Sequence, residues 1–137
     1  MSINFYYEDV NKLPLEKIKL KNWITSTIKN EGMKPGDLSF IFCSDNYLLE
    51  INKEYLQHDY LTDIITFDYV ENKIVSGDIF ISIDRILDNA KEFGVMFEEE
   101  LKRIIIHGVL HLLGYKDKEE IEKNEMTNME DFYLSRL

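Results

Sequence analysis

The chain has 137 residues and carries 16 lysines and arginines against 26 aspartates and glutamates, a net charge of −10. A chain of this length buries roughly 70% of its unfolded surface, so one domain over residues 1–137 with a core of its own is expected. The 45% hydrophobic and 12% aromatic shares exclude a disordered chain, and the acidic balance excludes a general basic coat for nucleic acid while leaving room for a local basic groove.

Residues 1–10 lack the basic start and apolar run of a secretory signal, and residues 3–7 read as a first strand. Residues 12–29 place Ile18, Leu20, Trp23, Ile24, Thr27 and Ile28 on one helical face, with Gly32 as the stop. Pro35-Gly36-Asp37 reads as a turn and residues 38–43 as a short buried strand. Cys43 is the single cysteine, so no internal disulfide can form, and a reducing compartment follows. Ser44 or Asp45 caps a second helix that ends near Tyr55. After a loop at 58–62, residues 64–69 and 77–82 read as the third and fourth strands.

The remainder is helical. One helix spans 84–93 and stops at Gly94. Another spans 98–113, with Glu98, Glu99 and Glu100 in its first turn, where they favour the helix dipole. Ile104, Ile105 and Ile106 make this helix apolar almost all round, so it is expected to be central and buried. A last helix covers 118–137. The order predicts an α+β (mixed α/β) fold: a single sheet of about four strands covered by about five helices. No stretch approaches the roughly 20 apolar residues of a membrane helix, so a cytoplasmic protein with no membrane partner is expected.

His107 and His111 stand four residues apart on the central helix, so both imidazoles lie on one face about one turn apart. A lone histidine there reads as core packing; a pair at this spacing suits one metal ion. Gly114 lets the chain turn back, and Asp117 is placed to add a carboxylate. Three protein ligands and an open position for water are the pattern of one catalytic zinc ion at the end of the helix. The spacing His-x-x-x-His-x-x-Gly-x-x-ligand is that of metzincin peptidases. Those carry a glutamate general base directly after the first histidine, and this chain has Gly108.

The run His107-Gly108-Val109-Leu110-His111-Leu112-Leu113-Gly114-Tyr115 closely resembles the YbeY family of bacterial endoribonucleases. Asn52-Lys53-Glu54-Tyr55, Thr62-Asp63-Ile64-Ile65-Thr66-Phe67 and Gly77-Asp78-Ile79-Phe80-Ile81-Ser82 resemble further blocks of that family in the same order. The resemblance implies a single-strand-specific, zinc-dependent endoribonuclease. It implies roles in rRNA processing, including 16S rRNA 3′-end maturation, and in 70S ribosome quality control. Single-stranded rRNA and the ribosome or its small subunit are the implied partners.

Two positions depart from the family pattern. The motif usually closes on a third histidine where this chain has Asp117, which makes the metal site one unit less positive and a weaker Lewis acid. The arginine that usually follows Tyr55 is Leu56, with Lys53, Lys102 and Arg103 as possible substitutes toward phosphate. Asp63 is a candidate auxiliary acid/base beside the metal-bound water, or a partner for a ligand histidine; a loop or cap role is the alternative. His58 is expected at the surface. Lys17, Lys19, Lys21, Lys29, Lys116 and Lys118 are the cations from which a local basic track could be built. A metzincin-like hydrolase of another bond and a non-catalytic ribosome-associated metal-binding factor are the alternative readings.

Overall fold

The computed structural model describes residues 2–137; Met1, the first residue of the opening segment, lies outside them. The described residues form β1 (Ile3–Tyr7), α1 (Lys17–Asn30), β2 (Lys34–Cys43), α2 (Asp45–Leu56), β3 (Ile64–Asp68), β4 (Ile74–Ser82), α3 (Ile83–Phe93), α4 (Phe97–Leu112) and α5 (Glu120–Leu134). The strands make one sheet in the order β1-β2-β4-β3, parallel except for the antiparallel β3–β4 pair. This is the expected mixed α/β architecture.

Strand alternation divides the core. Leu38, Phe40 and Phe42 of β2, with Val75, Ile79 and Ile81 of β4, pack into the main core with Trp23, Ile24 and Ile28 of α1 and the apolar residues of α4. The opposite face carries Cys43, Ile65, Phe67 and Phe80 and is covered by Leu48, Tyr47 and Ile51 of α2. Helix α4 is the central element. Leu101, Ile104, Ile105, Ile106, Val109, Leu110 and Leu112 are all buried, as its all-round apolarity predicted.

Several element boundaries differ from the sequence reading. Helix α1 begins at Lys17, not near residue 12, because Pro14 lacks an N–H and disfavours helix at Leu13. Ile18, placed on the buried face by its spacing, is 78% exposed in that first turn. Pro35-Gly36-Asp37 is not a turn but part of β2, where the register with β4 shifts between Pro35 and Leu38 as a bulge. Gly36 is required there, since a Cβ would lie 2.3 Å from Ser76 Oγ. Strand β4 starts at Ile74, three residues early. Asn72 and Lys73, both at positive φ, close a hairpin that lengthens the ladder. The last helix spans Glu120–Leu134, with a capping box between Glu119 and Glu122.

Candidate metal centre

Helix α4 points His107 and His111 off its end toward residues 113–119. Gly114, at φ +104°, ends the helix: its N–H donates to His111 O at 3.0 Å and the Tyr115 N–H to Leu110 O at 3.0 Å. This Schellman pattern turns the chain back along the helix. Asp117 then reaches both histidines, its Oδ2 standing 3.3 Å from His107 Nε2 and 3.3 Å from His111 Nε2. The two Nε2 atoms are 2.9 Å apart. The edge of a zinc tetrahedron with bonds near 2.0–2.1 Å is about 3.3 Å, so the three donor atoms stand at ligand spacing. They form the one group of three or more potential metal ligands found among the described residues.

The far side of each ring is anchored. His107 Nδ1 lies 2.5 Å from Glu130 Oε2, and His111 Nδ1 lies 3.1 Å from the Tyr115 carbonyl. Both partners accept and neither donates, so each neutral ring carries its proton on Nδ1 and turns a bare Nε2 toward Asp117. Two lone pairs and a carboxylate oxygen at this distance require a shared proton or a cation between them. The donor set therefore fits zinc, and metal binding there would release the proton.

The anchors are themselves held. Arg103 grips Glu130 Oε1 at 2.8 Å and Asp131 Oδ1 at 2.6 Å, tying α5 to α4. Tyr115 donates its hydroxyl to Glu31 Oε1 at 2.7 Å, and Tyr133 donates to the other oxygen of Glu31. Burial opposes protonation of His107, yet the hydrogen bond and charge of Glu130, with Asp117 and Asp63, outweigh it and hold the pKa above the ordinary histidine range. Burial and the neighbouring His107 hold His111 below that range, with Asp117 pulling the other way. The two rings are thus pushed in opposite directions by the same surroundings.

A cleft of about 860 Å³ opens at His107 and runs toward the start of α4. Asp63 lines it, and burial pushes its carboxyl up, against the pull of His107. Gly108 faces the sheet instead of the cleft. A Cβ there would come within 2.9 Å of Ile64 Cδ1 and 3.0 Å of Ile79 Cγ2, so this helix has no room for the metzincin glutamate.

The family model described as Endoribonuclease YbeY matches residues 5–137. An endoribonuclease YbeY of Flavobacterium johnsoniae is 50% identical over 129 residues, covering 94% of this chain and 92% of its own. That of Parabacteroides distasonis is 47% identical over 137 residues, covering 100% of this chain and 96% of its own. The chain belongs to the YbeY endoribonuclease family. A solution structure of a Thermotoga maritima protein superposes with a TM-score of 0.67 at 29% identity, over 96% of this chain and 86% of that one. Membership in the YbeY family makes the chain a nuclease that acts on RNA. No helix among the described residues is long and apolar enough to cross a membrane.

The remaining candidates separate clearly. Arg103 is not a free cation for phosphate, because two carboxylates hold it. Lys53 pairs at the surface with Glu50 and Asp59, at 3.7 and 3.6 Å. His58 is exposed, as expected, and stacks on Tyr60 with ring centroids 5.1 Å apart. Leu56 is 40% exposed at the end of α2. Glu130 escaped the sequence reading, since nothing local distinguishes it from its acidic neighbours on α5. The one available signal was that it falls on the buried stripe with Met126 and Tyr133.

Proposed function

We propose that the chain is a single-strand-specific, zinc-dependent endoribonuclease of rRNA processing. It matures the 3′ end of 16S rRNA and acts in 70S ribosome quality control, in the cytoplasm, with the ribosome or its small subunit as partner. The observation that carries the metal dependence is the meeting of His107 Nε2, His111 Nε2 and Asp117 Oδ2 at ligand spacing, with both Nδ1 atoms turned to acceptors.

In this reading His107, His111 and Asp117 hold one zinc ion. When bound, zinc supplies a Lewis acid that stabilises charge on the phosphoryl group and favours a nucleophile at neutral pH. Glu130 and the Tyr115 carbonyl keep the rings in the tautomer that ligates. Asp63 takes the proton from the attacking hydroxyl, either water or the RNA 2′-OH, at its carboxylate. Burial raises the basicity of that carboxylate, and its place on the cleft wall beside His107 supports the role. The family's arginine is Leu56 here, so phosphate neutralisation falls to other cations of the cleft.

Metal analysis of the purified protein, joined to cleavage of single-stranded RNA and of a 16S precursor, tests this. About one zinc per chain and chelator-sensitive cleavage are expected, and His111→Ala should lose both. Full cleavage by that variant would overturn the mechanism. Ribosome binding with no chelator-sensitive cleavage would instead establish the non-catalytic factor, and chelator-sensitive casein hydrolysis the peptidase.

A further inference from the structure

The cleft beside the metal centre contains a group that the chemistry above does not use. Glu100 sits on α4 seven residues before His107, which is two helical turns and about 10 Å along the same face. It is 7% exposed and lines the cleft. Among the described residues, no donor hydrogen-bonds its carboxylate and no cation pairs with it. Burial pushes its pKa up against the pull of Arg103, whose guanidinium is committed to Glu130 and Asp131. Its carboxylate oxygens are not among the fully buried, unpartnered polar atoms, so they open on the cleft, and a ligand's donors can reach them from there.

The rim of the same cleft differs. Lys19 of α1 and Lys102 of α4 line it, and neither has an ion-pair partner among the described residues. Cations without ion-pair partners at the rim and an acceptor opening on the cleft inside match a nucleotide, which offers a phosphate at one end and base N–H groups at the other. A volume of about 860 Å³ admits such a ligand. A metal does not answer the need, because no group of three metal-binding side chains includes Glu100.

We propose that this cleft is a nucleotide subsite in which Glu100 reads guanine while Lys19 and Lys102 hold a flanking phosphate. Guanine presents two adjacent donors on its Watson–Crick edge, N1–H and the N2 amine, which a single carboxylate can accept together. Adenine and cytosine present one amine, and uracil presents one N–H. Single-stranded RNA exposes that edge, as reading by the edge requires. The distance from His107 makes the base read a neighbour of the scissile phosphate. The inference rests on the RNA-cleavage reading for its biological meaning, but the subsite is defined by binding alone.

The test is equilibrium binding of GMP, IMP and UMP to the full zinc-loaded chain. IMP keeps N1–H and lacks the N2 amine, so the comparison needs no variant. GMP should bind at least about tenfold more tightly than IMP or UMP, the loss expected for a hydrogen bond to a charged acceptor. Glu100→Gln should erase the difference, and Lys102→Ala should weaken all three nucleotides alike. Equal binding of GMP, IMP and UMP by the unaltered protein would overturn the subsite even if RNA cleavage is intact. Guanine discrimination surviving in a folded Glu100→Gln variant would overturn the role of Glu100. A guanine preference in binding without any RNA cleavage would sink the nuclease reading and leave the subsite standing.

Discussion

The candidate metal centre joins two regions that are built in opposite ways. Helix α4 delivers His107 and His111 from a buried rod, and each ring is fixed from behind by an acceptor held by other elements. Residues 113–119 deliver Asp117 from an irregular turn, and among the described residues the two histidines are its close ion-pair partners. The side chains are 20% and 23% exposed for the histidines and 37% for the aspartate. In the proposed site two ligands are therefore held from behind by other elements, and the third is presented by the turn alone. Preorganisation lowers the ordering cost of the first two ligands, so the contribution of the third depends on the turn that presents it.

The sharpest way to break this comparison is to remove the third ligand. Asp117→Ala leaves the histidine pair intact and should weaken zinc by more than the roughly 10–100-fold typical of losing an outer partner. Asp117→His restores a neutral nitrogen donor at the same place and should bind zinc at least as tightly as the unaltered chain, read by competition with a chromophoric chelator. Unchanged zinc affinity in Asp117→Ala would take Asp117 out of the site and leave a two-histidine centre.

A smaller loss is expected from the preorganised side. Glu130→Gln keeps the size of the side chain but exchanges the charged acceptor behind His107 for a neutral amide. Zinc affinity should fall by about 10–100-fold, with the stoichiometry still one per chain. The same variant also weakens the Arg103 link between α4 and α5, so the melting temperature should fall as well. Zinc affinity falling without any loss of stability would show that orientation of His107 is the whole role of Glu130.

How much of this could be read beforehand follows from the range of the interactions. His107 and His111 are four residues apart, and helical periodicity alone puts them on one face. Gly114 and Asp117 follow His111 by three and six residues, so their part in the site is also local. Glu130 is 23 residues from His107, and Glu31 is 84 from Tyr115; only the packing of α5 and α1 against α4 brings them in. The same limit explains the errors in the sheet. Pro35-Gly36-Asp37 has the local chemistry of a turn, but pairing with β4 keeps it extended as a bulge. The Asn72–Lys73 turn lacks the glycine that would have marked it. Glu100 falls in the first turn of α4, as its place in the acidic run implies, and its burial against an open cleft appears only in three dimensions.

The smallest effect separates the turn from the ligand it presents. A Cβ at Gly114 would meet nothing within 4 Å, so Gly114→Ala creates no clash. Its whole cost is the positive φ, about 1–2 kcal/mol for a residue with a side chain. A drop in melting temperature of about 3–8 °C follows for a domain of this size. The two Schellman hydrogen bonds depend on backbone atoms and can persist in the variant. Zinc affinity should then fall less than in Asp117→Ala, because the aspartate still reaches the histidines. If the two variants lose zinc equally, the left-handed turn itself, and not merely the carboxylate it carries, sets the geometry of the third ligand, and the contrast between the rod and the turn becomes a contrast in function.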